Sequence, residues 1–543
     1  MKMIHKTSLF RKIIGLSALL GLTVPSCTNL DETELLFDEV TTEDFFQSEE
    51  ELISAVGDAY TLLFIFYQNA RMMALNEVTS DEIVVPTRGA DWGDGGHWVR
   101  LHRHTWTPQD PTITQGWEYF FNGVNTCNRL LAILEPIGTP EADAIVAELK
   151  CLRAIYYYWL MDLYGNVPIS TDFTSTDPPA NDEREEVYAF VEQELTENAP
   201  LLVKTGPADE STYGRVNYYT AQAALVKLYM NAEVYTGVPQ WQKALDACDE
   251  IINSGLYDLT PSYRDNFTRD NKGASEFIWA IPFDEVFAQG FFLPMMTLHP
   301  ESQKTYNMTS QPWNGFASIQ EFYESYTDPA RNPGPQGEVV GSSPDGALTT
   351  GTLDERLSNF IVGPQYASDG SPLLDGGADP GDPNGPPITF TPYMNELEPA
   401  AWRQTGARIG KWEFYNGMGQ HLSNDFAIFR YADILLSKAE ARANLFGYGD
   451  TEALLLVNQI RERAGVDPFT SLDPEKLLAE RGRELFAEIH RRVDQIRFGT
   501  FNDAWRFKSP DPSDHVNIFP IPESQLNANP NLRQNPGYPG AEN

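Results

Sequence analysis

The chain has 543 residues, 41% of them hydrophobic and 21% charged, too many for one small core and a balance that folds over most of its length, as one large domain or two intimately packed ones. Asp and Glu outnumber Lys and Arg by 77 to 39, for a formal charge of −38. A field of that sign repels phosphate backbones, which argues against nucleic acid as a partner and suits a neutral ligand.

The first 26 residues read as an export signal. Lys2, Lys6, Arg11 and Lys12 form a basic start, and an apolar run from Ile13 to Val24 follows, too short and wrongly flanked for a membrane anchor. Val24-Pro25-Ser26-Cys27 resembles the lipobox of bacterial lipoproteins, with Pro25 an unusual member, so Cys27 is the expected lipidated residue and a permanent anchor. Asp31, Glu32 and Glu34 just behind it are similar to the flank that sends some lipoproteins to the outer face of the outer membrane. Loss of the leader takes four basic residues and no acid, leaving a mature charge of −42. Cys127, Cys151 and Cys248 lie in apolar helical contexts and are expected to be buried free thiols. There is no CxxC, HExxH or GxSxG.

Next along the chain, "PTRGADWGDGGHW" (86–98) packs an arginine, two acids, four glycines and two tryptophans into thirteen positions. "AELKCLRAIYYYWLMDLYG" then sets Leu149, Leu152, Tyr156, Leu160 and Leu163 on one helical face, with Gly165 as its stop. Two helix pairs with small contact residues come after: Ala221, Ala224 and Leu225 against Ala244, Cys248 and Ile252, and Ala439 and Ala443 against Ala453 and Val457. Their length is that of tetratricopeptide units, here degenerate. Residues 328–400 are rich in Gly, Pro, Asp and Ser, a composition that sustains neither helix nor central strand and marks long loops on one face.

Several segments in order resemble the SusD/RagB family of outer-membrane glycan-binding lipoproteins. "ELKCLRAIYYYWLMDLYGNVPI" is similar to its most recognisable helix and turn, and "GRVNYYTAQAALVKLYMNAEVY" with "ALDACDEIINSGLYDL" to its next helical pair. "RYADILLSKAEARA", "VNQIRERAG" and "ERGRELFAEIHRRVDQIRFG" resemble its carboxy-terminal helices, and "IFPIPESQLNANPNLRQNPGY" its closing segment. The resemblance implies one mainly α-helical domain over 27–543, with a helical scaffold over about 40–260 and 425–505, a variable loop region over about 265–425 and a closing segment from 506 to 543. It also implies a lid on a SusC-like, TonB-dependent barrel transporter, holding oligosaccharide at the cell exterior without catalysis and without a cofactor. Peptide uptake by the same architecture is the alternative; a surface glycosidase or a plain scaffold is less favoured.

A sugar ring offers C–H patches on one face and hydroxyls at its edge, so a site for it pairs aromatic planes with planar polar groups. The segment 81–106 supplies Asp81, Glu82, Arg88, Asp91, Trp92 and Trp98, interrupted by glycines. Trp92, flanked by Asp91, Gly93 and Asp94, is the expected exposed sugar platform. Trp98 is divided between ligand and core, since Val99 and Leu101 can continue it into a strand; Arg88 is either a glycan clamp or a partner of Asp91 or Asp94. Trp106, Trp117 and Trp159 are read as core. Tyr306, Gln311, Trp313 and Asn314, and Trp402, Arg403, Arg408, Lys411 and Trp412, are further candidates, of which Trp313, Tyr306 and Arg408 join the expected site. His102 and His104 are read as a hydrogen-bonded structural pair and not zinc ligands, and Asp375, Asp379 and Asp382 as a solvated loop before a calcium site.

Overall fold

The computed structural model describes residues 49–89, 91–377 and 384–541. The export signal, Cys27, Asp379 and Asp382 lie outside the described residues. Within them the fold is mainly α-helical, built from α1 (Glu49–Thr61), α2 (Pro111–Leu134), α3 (Pro140–Tyr164), α4 (Arg184–Asn198), α5 (Tyr218–Met230), α6 (Trp241–Ile252), α7 (Tyr431–Phe446), α8 (Thr451–Arg463), α9 (Pro474–Leu485) and α10 (Arg491–Arg497). The helices pack as successive pairs, α2 on α3, α3 on α4, α5 on α6, α6 on α7 and α7 on α8.

Helix α3 is the centre of this stack. Pro140 sits in its first turn, the Thr139 hydroxyl accepts from Ala142 N at 3.2 Å, and Gly165 stops it at φ 70°, a left-handed backbone that glycine takes at least cost. Tyr156, Leu160 and Leu163 are wholly buried, as are Tyr157 and Met161 on other faces, so neighbours cover the helix all round. Gly123 on α2 leaves the room that Tyr156 fills: a Cβ built there would lie 2.6 Å from Tyr156 Cδ1. Trp106, Trp117 and Trp159 are core residues, each at most 5% exposed. The small residues do what their spacing predicts, since Ala221, Ala224, Ala244, Cys248, Ala439, Ala443, Ala453 and Val457 are all buried at helix contacts. Cys127, Cys151 and Cys248 are free and buried, and burial pushes the Cys127 thiol up to about 12, so it stays protonated and inert. No described helix is long and apolar enough to cross a membrane.

The strands are short and form five two-stranded antiparallel ribbons among the described residues: β1 (Ile83–Val84) with β3 (Ala317–Ser318), β2 (Phe277–Ile281) with β10 (Phe426–Arg430), β4 (Gln336–Val340) with β5 (Leu348–Thr352), β6 (Phe360–Ile361) with β9 (Arg408–Ile409), and β7 (Gly363–Pro364) with β8 (Thr389–Phe390). The regular β4–β5 hairpin falls inside the Gly/Pro-rich stretch, where composition hid it. A hairpin has two edges, so it escapes the rule against Gly and Pro in central strands.

Behind the loops lies a dense buried ion network. Arg430 on β10 binds Glu276 and Glu484 from one nitrogen at 2.7 and 2.8 Å, and Glu488 from the other at 2.7 Å. Lys411 reaches the carbonyl of Phe486 at 2.8 Å and the Glu488 carboxylate at 2.5 Å. Arg356 and Arg461 meet at Glu480 at 2.7 and 2.8 Å. These charges are all at most 2% exposed; buried charges persist only when paired this completely.

Candidate ligand-binding site

The 81–98 segment enters the site from β1, which fixes it against β3 in the register Ile83↔Ser318 and Val84↔Ala317. Arg88 and Asp91 then exchange backbone hydrogen bonds at 3.1 Å in each direction, closing a tight turn that Gly89 enters at φ 66°. Trp92 follows at φ 58° and Asp94 at φ 35°. Two non-glycine residues in left-handed backbone store about 1–3 kcal/mol each, which the surrounding contacts must offset.

Those contacts centre on Trp92. Its indole N–H donates to the carbonyl of Trp313 at 2.6 Å, and its ring meets Trp98 edge-on at 5.3 Å and Phe316 at 5.5 Å. It lies flat over Gly315, where a Cβ would come within 2.6 Å of Trp92 Cζ2. Trp92 is therefore half-buried and held at one edge, and not the freely exposed platform expected from its polar neighbours. Trp313, with its ring 6.3 Å from that of Trp92, is 37% exposed and is the outer member of the pair. Its backbone N–H donates to Met295 O at 2.8 Å, with Asn314 N on Leu298 O and Gly315 N on Met296 O beyond it, so the WNG stretch rides on a fixed support. Phe292 packs on Trp313 at 6.0 Å and on His421 at 4.5 Å. Tyr306 stands on the same loop cluster, which is stitched together by Gly417 N to Tyr306 O and Asn307 Nδ2 to Asn416 Oδ1, both 2.6 Å, while the Tyr306 ring packs against Phe414 at 5.8 Å.

Four expected ligand residues have other work in this structure. Trp98 is 3% exposed and donates to Asp94 Oδ2 at 2.9 Å, on a short helix, His97–His102, and not a strand; its apolar body and its satisfied N–H both favour the core. Arg88 is wholly buried and spends its guanidinium on the carbonyls of Asn314 and Gly315 at 2.6 Å and Thr405 at 2.8 Å. It pins the Trp313 segment from below, and neither clamps a ligand nor pairs through its side chain with Asp91 or Asp94. Arg408 is equally buried and binds Asn314 Oδ1 at 2.9 Å and Arg403 O at 2.8 Å. Burial, with Arg403 beside it, lowers its guanidinium to about 9. Asp81 pairs with Arg491 at 2.6 and 2.9 Å and lines a different cleft, of about 1070 Å³, beside Phe322, Phe469 and Trp505.

Asp91 does reach the surface, bonded through Oδ2 to Arg403 Nη1 at 3.0 Å. Lys411 and Trp412 are buried in the core, whereas Trp402 is 50% exposed. His102 and His104 are buried and hydrogen-bonded, His102 to Arg506 O at 2.8 Å and His104 to Thr79 O and Asp511 Oδ2 at 2.7 Å, the structural role expected of them. Asp375 is an ion partner of Arg403 at 3.1 Å and not a solvated loop acid. Among the described residues no cluster of His, Cys, Asp and Glu could hold a metal ion. Sequence reasoning passed over Thr405 and Gly315, whose importance is a matter of long-range packing.

A paired-helix scaffold that carries an aromatic ridge on braced loops defines the class: a mainly α binding fold of the SusD-like kind. Two family profiles match the chain in succession, one for starch-binding proteins associating with the outer membrane over residues 38–230 and the SusD family profile over 275–538, and the chain belongs to the SusD/RagB family of the outer membrane. The starch-binding protein SusD of Bacteroides thetaiotaomicron is 26% identical over 85% of this chain and 84% of its own length. A SusD-like protein of Formosa agariphila is 24% identical over 92% and 94%. Among solved structures, surface glycan-binding protein A from Bacteroides thetaiotaomicron in complex with laminarihexaose superposes with a TM-score of 0.68 at 22% identity, covering 90% of this chain and 99% of that one. A laminarin-binding SusD-like protein gives 0.66 at 20% identity, covering 91% and 100%. At that identity the superpositions speak for the fold alone.

Proposed function

We propose that the protein is a lipid-anchored surface receptor that binds oligosaccharide on the ridge of Trp313, Trp92 and Tyr306 and delivers it, unaltered, to a SusC-like TonB-dependent barrel transporter. The observation that carries this reading is the Trp92–Trp313 pair. One indole is locked by a hydrogen bond to the backbone of the other, so an aromatic plane stands half in water with its rotamer already fixed, and little ordering entropy remains to be lost when a sugar stacks on it. The relative that is named for starch supports a glycan as the ligand. Non-catalytic handling is supported by how the nearby acids are spent: Asp91 on Arg403 and Asp94 on the Trp98 indole, an arrangement unlike the facing acid and base of a glycosidase.

Titration calorimetry of the full chain against a panel of oligosaccharides tests the reading. Trp313→Ala should weaken the bound glycan about tenfold or more with the melting temperature held, and co-purification of a barrel transporter from outer membranes should depend on the chain. Undiminished binding by Trp313→Ala would move the site elsewhere, and shortened glycan in the calorimeter cell would make the protein a hydrolase.

A further inference from the structure

Next to the ridge, and sharing Asp91 with it, is a cleft of about 620 Å³ lined by Gly89, Asp91, Asp375, Trp402, Arg403 and Thr405, among others. Its rim is a large aromatic that the chain holds out with some care. Asn395 Oδ1 accepts from Trp402 N at 2.9 Å and Asn395 Nδ2 donates to Ala400 O at 3.3 Å, so the turn is braced. The Trp402 ring leans on Tyr393 at 6.0 Å and remains 50% exposed.

The wall is Arg403. Its Nε donates to both oxygens of Asp375, at 3.1 and 3.2 Å, and its Nη1 to Asp91 Oδ2 at 3.0 Å. Asp375 in turn lies 3.3 Å from the ring of the buried His299. Burial alone would raise the Asp375 carboxyl, but His299 and Arg403 bring it below its ordinary value, so it is a fixed anion that orients Arg403. Asp91, with 41% of its side chain exposed, has no partner for Oδ1 among the described residues, and that oxygen is left to accept.

The base is Thr405, whose carbonyl is held by Arg88 and by Arg408, which fixes the floor of the cleft.

We propose that this cleft is a second sugar-ring subsite: a hexose stacks on Trp402 and directs its edge hydroxyls to Asp91 Oδ1 and the Arg403 guanidinium. The inference rests on the glycan-binding reading and extends it, because Asp91, which lines this cleft, directly precedes Trp92 of the ridge. One aromatic at each end and a carboxylate between them read an oligosaccharide and not a single sugar.

The test titrates wild type, Trp313→Ala, Trp402→Ala and Asp91→Ala of the full chain with laminarihexaose and maltohexaose, and with a panel of neutral hexasaccharides if neither binds wild type. Asp91→Ala removes a carboxylate that is 41% exposed and leaves Arg403 held by Asp375, so it should melt close to the wild-type temperature. Its affinity for the bound hexasaccharide should nonetheless fall about fivefold, and that of Trp402→Ala about tenfold. Affinities for Trp402→Ala and Asp91→Ala equal to wild type, while Trp313→Ala loses binding, would overturn the subsite and leave the receptor reading standing. Failure of every glycan to bind wild type would overturn both.

Discussion

Gly315→Ala is the most incisive perturbation of the ridge. Gly315 adopts no positive φ, so the cost of a methyl group there is one of space alone. The added Cβ would come 2.6 Å from Trp92 Cζ2 and 2.8 Å from Nε1, closer than non-bonded atoms ever settle, and the indole, being rigid, must lift as a body. Overpacking of this kind costs about 1–3 kcal/mol, and loss of the Trp92-to-Trp313 hydrogen bond about 1 kcal/mol more. The smaller unfolded-state entropy of alanine returns about 0.4–1 kcal/mol. The net expectation is a destabilisation of about 1–3 kcal/mol, read by urea unfolding, with a change in tryptophan fluorescence as Trp92 moves. Because the whole cost passes through one ring, it should nearly vanish in a Trp92→Ala background, a strong non-additivity. Equal destabilisation of Gly315→Ala with and without the Trp92 ring would refute the reasoning.

The remaining expectations concern the support of the site and the whole chain. Arg88→Met strands the carbonyls of Asn314 and Gly315 and should cost about 2–4 kcal/mol in urea unfolding; a neutral effect would show that these carbonyls find other donors. Burial raises the Glu77 carboxyl from its ordinary 4.5 to about 7, and burial next to Glu77 raises Glu82 further above its ordinary value. The folded chain thus keeps protons that the unfolded chain has released, and stability from this pair falls as pH rises from about 4.5 to 7. Glu276 moves the other way: burial would raise it, but Arg463 and Arg430 hold it at about 2, so its contribution is present above pH 4.5 and lost as pH falls towards 2. Melting temperature should therefore peak near pH 5, and Glu77→Gln should remove about 1–3 kcal/mol of the decline towards pH 8; an unchanged decline would exonerate the pair. Cys27→Ser should release the protein from outer membranes into the soluble fraction, as seen by fractionation and immunoblot.

What was legible in the sequence followed local rules. The four-residue spacing of Ala244 and Cys248, the aromatic run 156–159 and the Gly165 stop each express a periodicity or a backbone preference within a few residues, and each lies where that rule puts it. Composition misled where the partner of a residue is distant in the chain. Polar neighbours suggested that Trp92 stands free, yet what covers it is Gly315, more than two hundred positions on, and an absent side chain leaves no local signal. Arg88 and Arg408 looked like ligand donors because glycines and tryptophans surround them in sequence; Arg88 instead binds backbone carbonyls of other loops, and Arg408 the Asn314 side chain and carbonyls of its own loop, which no pattern of side chains records. The buried run Glu480–Arg492 is the same lesson at larger scale, since its charges alternate as a solvated helix face would while its partners, Arg356, Arg430 and Lys411, come from separate strands and turns.

That network also explains how loops this irregular hold a site at all. Arg430 on β10 and Lys411, just past β9, converge on Glu488, and Lys411 is three positions from Arg408, which grips Asn314 and the Arg403 carbonyl. Trp313 and Trp402 each stand next to a residue gripped by Arg408, so one buried guanidinium steadies the backbone beside both exposed aromatics. Paired carboxylates and guanidiniums are poor sources of net stability, but removing one partner is severely costly, and they therefore fix geometry more firmly than apolar contacts of similar size. The exposed tips, Trp313 and Trp402, make few of these bonds with their own side chains. They can accordingly be exchanged for other residues with little effect on folding, so a chain organised in this way can vary its exposed aromatic tips while its scaffold stays the same.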